Sequence, residues 1–213
     1  MNWLTHLVTA RPELDSLDDS LRDALLHWQS LVQPDLNRPH FDTRYVVVNT
    51  EASTADAGKA DLLAIAAIAL EGGTLAARDS YHSNLMPEPT SPLTRLLTFS
   101  AKGPIVVYNA ALNRVLLEHA FDRHLGLDPE WAWLDLYWLL PALFDERLNK
   151  PTRLADWTKV FGIETFQRQH ALGDAYAIAL LMLAVEARAL KRGLVSARSL
   201  IELERTRRHL SGR

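Results

Sequence analysis

Short apolar runs in the first half of the chain decide which folds it can adopt. Residues 45–48 form a β-branched run that suits a buried central strand, and residues 105–108 form another. Residues 62–70 are apolar enough for a strand or a helix, but Gly72 and Gly73 directly after them favour a hairpin with residues 74–85. Strands first and strand–helix units afterwards predict a mixed α/β sheet with helices on its faces.

The second half of the chain is predicted to be mostly helical. Residues 133–136 suit a last short strand, followed by a helix through Phe144. The apolar periodicity predicts further helices over 91–100, 110–124, 153–161, 171–190 and 199–210. In the helix over 110–124, the spacing places these residues on one face: Leu112, Val115, Leu116, His119 and Ala120.

These elements divide the chain into three parts. Residues 1–41 are predicted to be a helical N-terminal extension, with Ser16 capping a helix and a linker after it. Residues 42–190 form the main domain, and residues 191–213 form a basic C-terminal helical tail. A length of 213 residues suits one large domain with an extension. Trp3 and Trp28 of the extension either pack against the sheet or dock a partner protein.

Composition excludes several classes of protein. The chain has no cysteine, which excludes disulfide frameworks, thiol catalysis and cysteine-zinc sites. Three charged residues interrupt the apolar stretch over 171–190, and the N-terminus has no secretory leader pattern. We therefore expect a soluble, cytoplasmic protein without a membrane partner. Residues 188–213 carry a net charge of +6, which suits either a solvated helical end or a basic arm that contacts phosphate or another acidic surface.

Polar residues follow the predicted strands where α/β sheets place their ligands. Asn49 and Glu51 end the first strand, and alternation puts them on the same side of it. A second segment, Tyr108-Asn109-Ala110-Ala111-Leu112-Asn113, runs from a strand into a helix. A third, Gln169-His170-Ala171-Leu172-Gly173-Asp174-Ala175, places an acid inside an otherwise apolar helix.

The order and spacing of these segments resemble the DnaQ-like 3′–5′ exonucleases, the DEDDh branch of the ribonuclease H-like fold. That family has Asp-x-Glu at the end of its first strand, His-Asn-Ala-x-Phe-Asp after a later strand, and His-x-Ala-Leu-x-Asp-Ala on a late helix. The resemblance covers roughly residues 44–188. It implies a ribonuclease H-like mixed β-sheet flanked by helices, here with an N-terminal helical extension and a C-terminal helix.

The resemblance also implies a two-metal site, in which four carboxylates hold Mg²⁺ or Mn²⁺ and a histidine is the general base. The five positions are occupied here by Asn49, Glu51, Asn113, Gln169 and Asp174. Glu51 and Asp174 keep the family's residue type, so the pair could hold one weak ion at most. Gln169 occupies the base position, where an amide cannot accept a proton near neutral pH. His170 is one residue too late, which rotates it by about 100° on a helix.

The same resemblance implies positions that contact a nucleotide or a nucleic-acid end. They are Thr50, Thr54, Tyr108, Asn109 and His170. Two of them depart from the family, which has a glycine at Thr54 and a histidine at Tyr108.

Three hypotheses follow from this sequence. The first is a pseudo-exonuclease that binds nucleic-acid ends, a nucleotide or, through residues 1–41, a partner protein. The second is an active Mg²⁺- or Mn²⁺-dependent 3′–5′ exonuclease that recruits Asp135 or Asp56, with His170, around Glu51 and Asp174. Asp135 is better interpreted as a structural residue at its strand–helix junction. The third is a structural or regulatory scaffold without a nucleic-acid role.

Overall fold

A mixed five-stranded sheet forms the centre of the molecule. The structure is a computed structural model that describes residues 18–54, 56, 59–165 and 170–211. The strands lie in the order β3-β2-β1-β4-β5. Their bounds are β1 Tyr45–Ala52, β2 Leu62–Glu71, β3 Thr74–Asn84, β4 Ile105–Val107 and β5 Trp133–Asp135. Strands β1, β4 and β5 are parallel, whereas β2 and β3 are antiparallel to their neighbours, so the predicted mixed sheet is confirmed.

Seven α-helices are described around this sheet, and a short 3₁₀-helix at His40–Asp42 precedes β1. The α-helices are α1 Asp19–Ser30, α2 Thr90–Ser100, α3 Ala110–Leu125, α4 Leu136–Leu143, α5 Leu154–Phe161, α6 Ala171–Lys191 and α7 Ala197–Ser211. Each helix predicted from the sequence beyond residue 90 is present, with ends shifted by a few residues. None of the described helices is both long and apolar enough to cross a membrane.

The two faces of the sheet carry separate apolar cores. Tyr45 and Val47 of β1 pack with α4, α6 and α7, whereas Val46 and Val48 pack with α1, α2 and α3. This division follows from the two-residue period of the strand, which sends alternate side chains to opposite faces. All four residues are fully buried, as expected for a central strand.

The buried face of α3 differs from the predicted one. His119 is exposed and Val115 is only partly buried, while the buried stripe consists of Ala110, Asn113, Leu116, Leu117, Ala120, Phe121 and Leu125. The stripe includes a polar residue, Asn113, because the amide finds hydrogen-bond partners inside the fold. Apolar periodicity could not reveal this, since it scores a buried asparagine as a surface residue.

The described part of the N-terminal extension packs on the same core. Helix α1 begins at Asp19, and its N-cap is Asp18, whose carboxylate accepts a hydrogen bond from Leu21 N at 3.0 Å. The predicted cap Ser16 is therefore wrong, and both Ser16 and Trp3 lie outside the described residues. Trp28 is buried in the core beside α2, which confirms packing as its role.

A seam of hydrogen bonds joins the linker after α1 to the loop between α6 and α7. His40 N donates to Val195 O at 3.0 Å, and Arg198 N donates to Leu36 O at 2.9 Å. The buried His40 ring contacts Leu194 O through Nε2 and Tyr45 Oη through Nδ1, at 3.1 and 2.6 Å. Because a carbonyl only accepts, Nε2 carries the proton and Nδ1 accepts from the tyrosine. Burial lowers the pKa of His40, which keeps this ring neutral.

Candidate functional site

The end of β1 is attached to the start of α6 by two side chains. Asn49 Nδ2 donates to Ala171 O at 3.2 Å, and Glu51 Oε1 accepts from Ala171 N at 2.5 Å. Both side chains reach the same residue, which confirms that they lie on one side of the strand. Asn49 and Glu51 therefore clasp the first residue of the helix that carries Asp174.

Glu51 satisfies a backbone group that the helix cannot satisfy itself. Ala171 N lies in the first turn of α6, where N–H groups have no intrahelical acceptor and where a negative charge is favoured. His170 is the N-cap of the same helix, and its Nδ1 accepts from Leu172 N at 3.3 Å. Glu51 and His170 thus share the capping of α6.

Asn113 uses its whole amide group within the fold. Its Oδ1 accepts from Thr50 N at 3.2 Å and from Thr50 Oγ1 at 2.9 Å. Its Nδ2 donates to Tyr108 O at 3.0 Å and to Asn109 O at 3.1 Å. The residue is only 4% exposed. Asn113 therefore bridges β1 to the junction between β4 and α3, with both N–H groups and both lone pairs occupied.

An aspartate could not make this bridge. A carboxylate has no N–H to donate to the carbonyls of Tyr108 and Asn109, and it would bring negative oxygens against them. The same holds at position 49, where the amide donates to a carbonyl. Both amides are therefore matched to the backbone around them, and the carboxylates expected at a two-metal site are not.

Asp135 organises the neighbouring strand end. Its carboxylate accepts from the backbone N–H groups of Asn109 and Ala110, both at 2.9 Å, and from Tyr137 N at 3.0 Å. Asn109 is held in the left-handed region, with φ of 68°, as the N-cap residue of α3. Burial raises the pKa of Asp135, which lies 3.6 Å from Arg208 Nη2. These contacts support a structural role for Asp135.

Glu51 interacts electrostatically with Asp174, so the structure brings together the two acids that the resemblance places at the site. The pKa of Asp174 is raised, mainly by burial and then by the negative charge of Glu51, whereas the interaction with His170 acts in the opposite direction. A cavity of about 350 Å³ beside Asp174 is lined also by Arg153, Leu154, Ala155, Thr158, Thr165 and Ala177.

The remaining predicted nucleotide contacts are spread out or already engaged. Thr50 holds Asn113, and Tyr108 Oη donates to Thr152 O at 2.5 Å. Burial strongly raises the pKa of the Tyr108 hydroxyl. Thr54 is exposed, and its Oγ1 accepts from Asp56 N at 3.1 Å. Gln169, the position of the general base, lies outside the described residues.

His82 belongs to this region but was not predicted from the sequence. Its ring stacks on His170, with ring centroids 5.0 Å apart. The register places His82 beside Ala66, which in turn lies beside Asn49. Asn49, Ala66 and His82 thus form a cross-strand row. Pairing residues one by one from the Gly72–Gly73 turn would not have predicted this row, because an irregularity between Ile68 and Leu70 shifts the register of β2 against β3.

The described residues do not fit a two-metal centre. Among them, no three histidine, aspartate or glutamate side chains are grouped so that they could hold a metal ion. The Nδ2 groups of Asn49 and Asn113 are donors aimed at carbonyls, whereas Mg²⁺ and Mn²⁺ require anionic or carbonyl oxygens. We therefore assign no chemical step to a metal.

The fold has known counterparts among solved structures. No protein-family profile and no curated protein matches the chain. The E. coli exonuclease I complex with a dA16 oligonucleotide is similar, with a TM-score of 0.56 at 17% identity over 70% of this chain and 42% of that chain. Exonuclease I in its apo form gives a TM-score of 0.55 at 17% identity, over 70% of this chain and 43% of that chain.

A third structure, the exonuclease I complex with a dT13 oligonucleotide, has a TM-score of 0.53 at 19% identity, over 70% of this chain and 42% of that chain. This chain thus spans less than half the length of each of these exonuclease I structures. The similarity confirms the predicted fold class, a ribonuclease H-like mixed sheet flanked by helices, of the kind found in exonucleases.

Proposed function

We propose that this chain is a nucleic-acid-binding protein that uses an exonuclease fold without hydrolysing its ligand. On this proposal it is a degenerate DnaQ-like, DEDDh-type domain over residues 42–190, acting in the cytoplasm without a bound Mg²⁺ or Mn²⁺. The observation that carries it is the amide of Asn113, whose four hydrogen bonds join β1 to the junction between β4 and α3. Such a group is a structural bridge that has replaced a catalytic carboxylate.

Nucleic acid is the ligand that the fold favours. Two of the similar structures are complexes of exonuclease I with oligonucleotides, at identities that speak for the fold alone. A nuclease site that loses its metal ligands loses catalysis, but surfaces outside the metal centre that contact phosphates and bases do not depend on those ligands. A protein partner that binds through residues 1–41 stays a prediction.

The hypothesis of a rearranged active site has little support in the geometry. Asp135, one of the acids it would recruit, accepts three backbone hydrogen bonds and lies beside Arg208. His170 caps α6, and Asp56 is exposed on the surface. A catalytic role would require each of the first two groups to abandon contacts that hold the fold together.

A nuclease assay tests the absence of turnover. Labelled single-stranded DNA and RNA are incubated with the full chain and Mg²⁺ or Mn²⁺, beside the variant Glu51→Ala. We expect the wild-type chain to release no more nucleotide than the variant. Release by the wild type that disappears in Glu51→Ala would show an active site and would overturn the proposal. Binding of the same strands, measured by fluorescence anisotropy, tests the nucleic-acid part separately.

A further inference from the structure

A groove lined by arginines runs along β5, at the edge of the sheet opposite to β3. It consists of two cavities of about 370 and 530 Å³. They share Arg114, Trp131 and Arg198, together with Leu36 and Ala132, so they form one continuous groove. We call this the β5 groove. None of the positions predicted from the family resemblance lines it.

One wall of the β5 groove is a single face of α7. Arg198, Arg205 and Arg208 all line the groove, at relative positions i, i+7 and i+10. At a rise of 1.5 Å per residue, they extend over about 15 Å of helix. The other wall is α3, which contributes Arg114. A single small anion could not contact all four guanidinium groups, so their spacing suits a polymer.

The acidic groups of the groove are fewer and partly compensated. Glu204 is 8% exposed, accepts hydrogen bonds from Asp135 N and from Arg208, and has a pKa that burial raises to about 7. Arg114 forms an ion pair with Glu118 on the exposed face of α3, and such pairs exchange readily. Asp35 and Glu130 line the second cavity. With Lys102, five cationic side chains line the groove against three acidic ones. Arg198 and Arg205 are exposed, although Asp35 and Glu204 interact with them electrostatically.

We propose that the β5 groove binds the sugar–phosphate backbone of a single-stranded nucleic acid. This inference rests on the proposed function, since it names the surface that would bind the strand. Guanidinium groups spread along a helix can contact different phosphates of one strand. The partly buried ring of Trp133 lies in the same groove, with Arg114 at 6.0 Å from its centroid, and offers a surface on which a base stacks. An acidic protein segment would use the arginines but would gain less from this indole.

Anisotropy titrations with the full chain test the groove. The probes are a labelled single-stranded oligothymidylate of about 20 nucleotides and an oligouridylate of the same length, with polyglutamate as a competitor. Arg198 and Arg205 are exposed, and their charges interact only electrostatically with Asp35 and Glu204, so we expect the double variant Arg198→Ala/Arg205→Ala to keep the fold. The matched control, Arg78→Ala/Arg123→Ala, removes the same charge from exposed positions outside the groove.

We expect the groove variant to bind oligothymidylate about tenfold more weakly than the control variant does. The negative slope of log affinity against log salt concentration becomes shallower by about 1.4, since each lost single-strand phosphate contact removes about 0.7 from its magnitude. Equal binding by the two variants would show that the β5 groove does not bind the strand, and it would leave the proposed function unaffected. Failure of the wild-type chain to bind either strand would overturn both. Tight binding of polyglutamate in place of nucleic acid would assign the groove to an acidic protein.

Discussion

Asn113 and Asn49 show how a change of one side-chain atom alters what a site can do. An oxygen at Nδ2 would make each residue an anionic ligand, whereas the nitrogen makes it a donor to backbone carbonyls. Asn113 is deeply buried, so the cost of an unmatched group there is large. The two amides are therefore part of the structural framework, and replacing them with acids works against it.

The variant Asn113→Asp tests this at the scale of one residue. We expect it to lower the free energy of unfolding at pH 7 by about 3 kcal/mol, because a buried charge replaces two satisfied donors. The loss becomes smaller at low pH, where the introduced carboxyl takes up a proton. Urea unfolding followed by circular dichroism measures the effect. Asn84→Asp at the exposed end of β3 is the control, and an equal effect of both substitutions would contradict the bridge.

Glu186 is a second residue whose ionisation matters. It is buried on α6, its Oε1 has no hydrogen-bond partner in the described structure, and burial raises its pKa to about 7. The unfolded-state pKa of about 4.5 is lower, so the folded state binds the proton more tightly. The stability gained from this is present below about pH 4.5 and is lost as the pH rises through 7.

The substitution Glu186→Gln removes this pH dependence. We expect the variant to gain up to about 3 kcal/mol relative to the wild type between pH 4.5 and pH 8, since each unit of pKa shift corresponds to about 1.4 kcal/mol. Thermal unfolding at several pH values measures the difference. A difference in stability that stays constant across this range would show that Glu186 has the same pKa in both states.

At the scale of elements, the start of α6 depends on groups from β1. Helix α6 packs on both β1 and β2, and its first N–H is held by Glu51. The hydrogen bonds of Asn49 and Glu51 to Ala171 fix where the helix begins relative to the end of β1. A residue that the family resemblance marks as a metal ligand therefore also holds the start of a helix.

The variant Glu51→Ala measures that task. We expect a loss of about 1 kcal/mol in the free energy of unfolding, the usual value of a side-chain acceptor at a helix N-terminus. Part of this loss disappears at high salt, because screening weakens the charge–dipole interaction. Glu164→Ala, at an exposed position, is the control in the same urea titrations. An unchanged urea midpoint for Glu51→Ala would mean that α6 begins at the same residue without the hydrogen bond from Ala171 N to Glu51.

Over the whole molecule, the order of strands and helices could be predicted from the sequence because each depends on local periodicity. The partners of Asn113 could not, since Thr50 lies 63 positions away and the contact is to its backbone and hydroxyl. The row that contains His82 was hidden by the irregularity in the β2–β3 hairpin. The resemblance to exonucleases pointed to Asn49 and Asn113, but their role as hydrogen-bond donors follows only from the carbonyls around them.

The seam between the linker and the α6–α7 loop has a consequence for how the chain folds. It joins residues near positions 36–40 to residues near 194–198, and the contact between His40 and Leu194 spans a sequence separation of 154 residues, so closing it costs chain entropy. During synthesis, β1 emerges long before the loop that completes the hydrogen bonds of His40. Until then the ring of His40 lacks the burial that lowers its pKa. The loop between α6 and α7 thus completes a contact whose other half, His40, precedes β1.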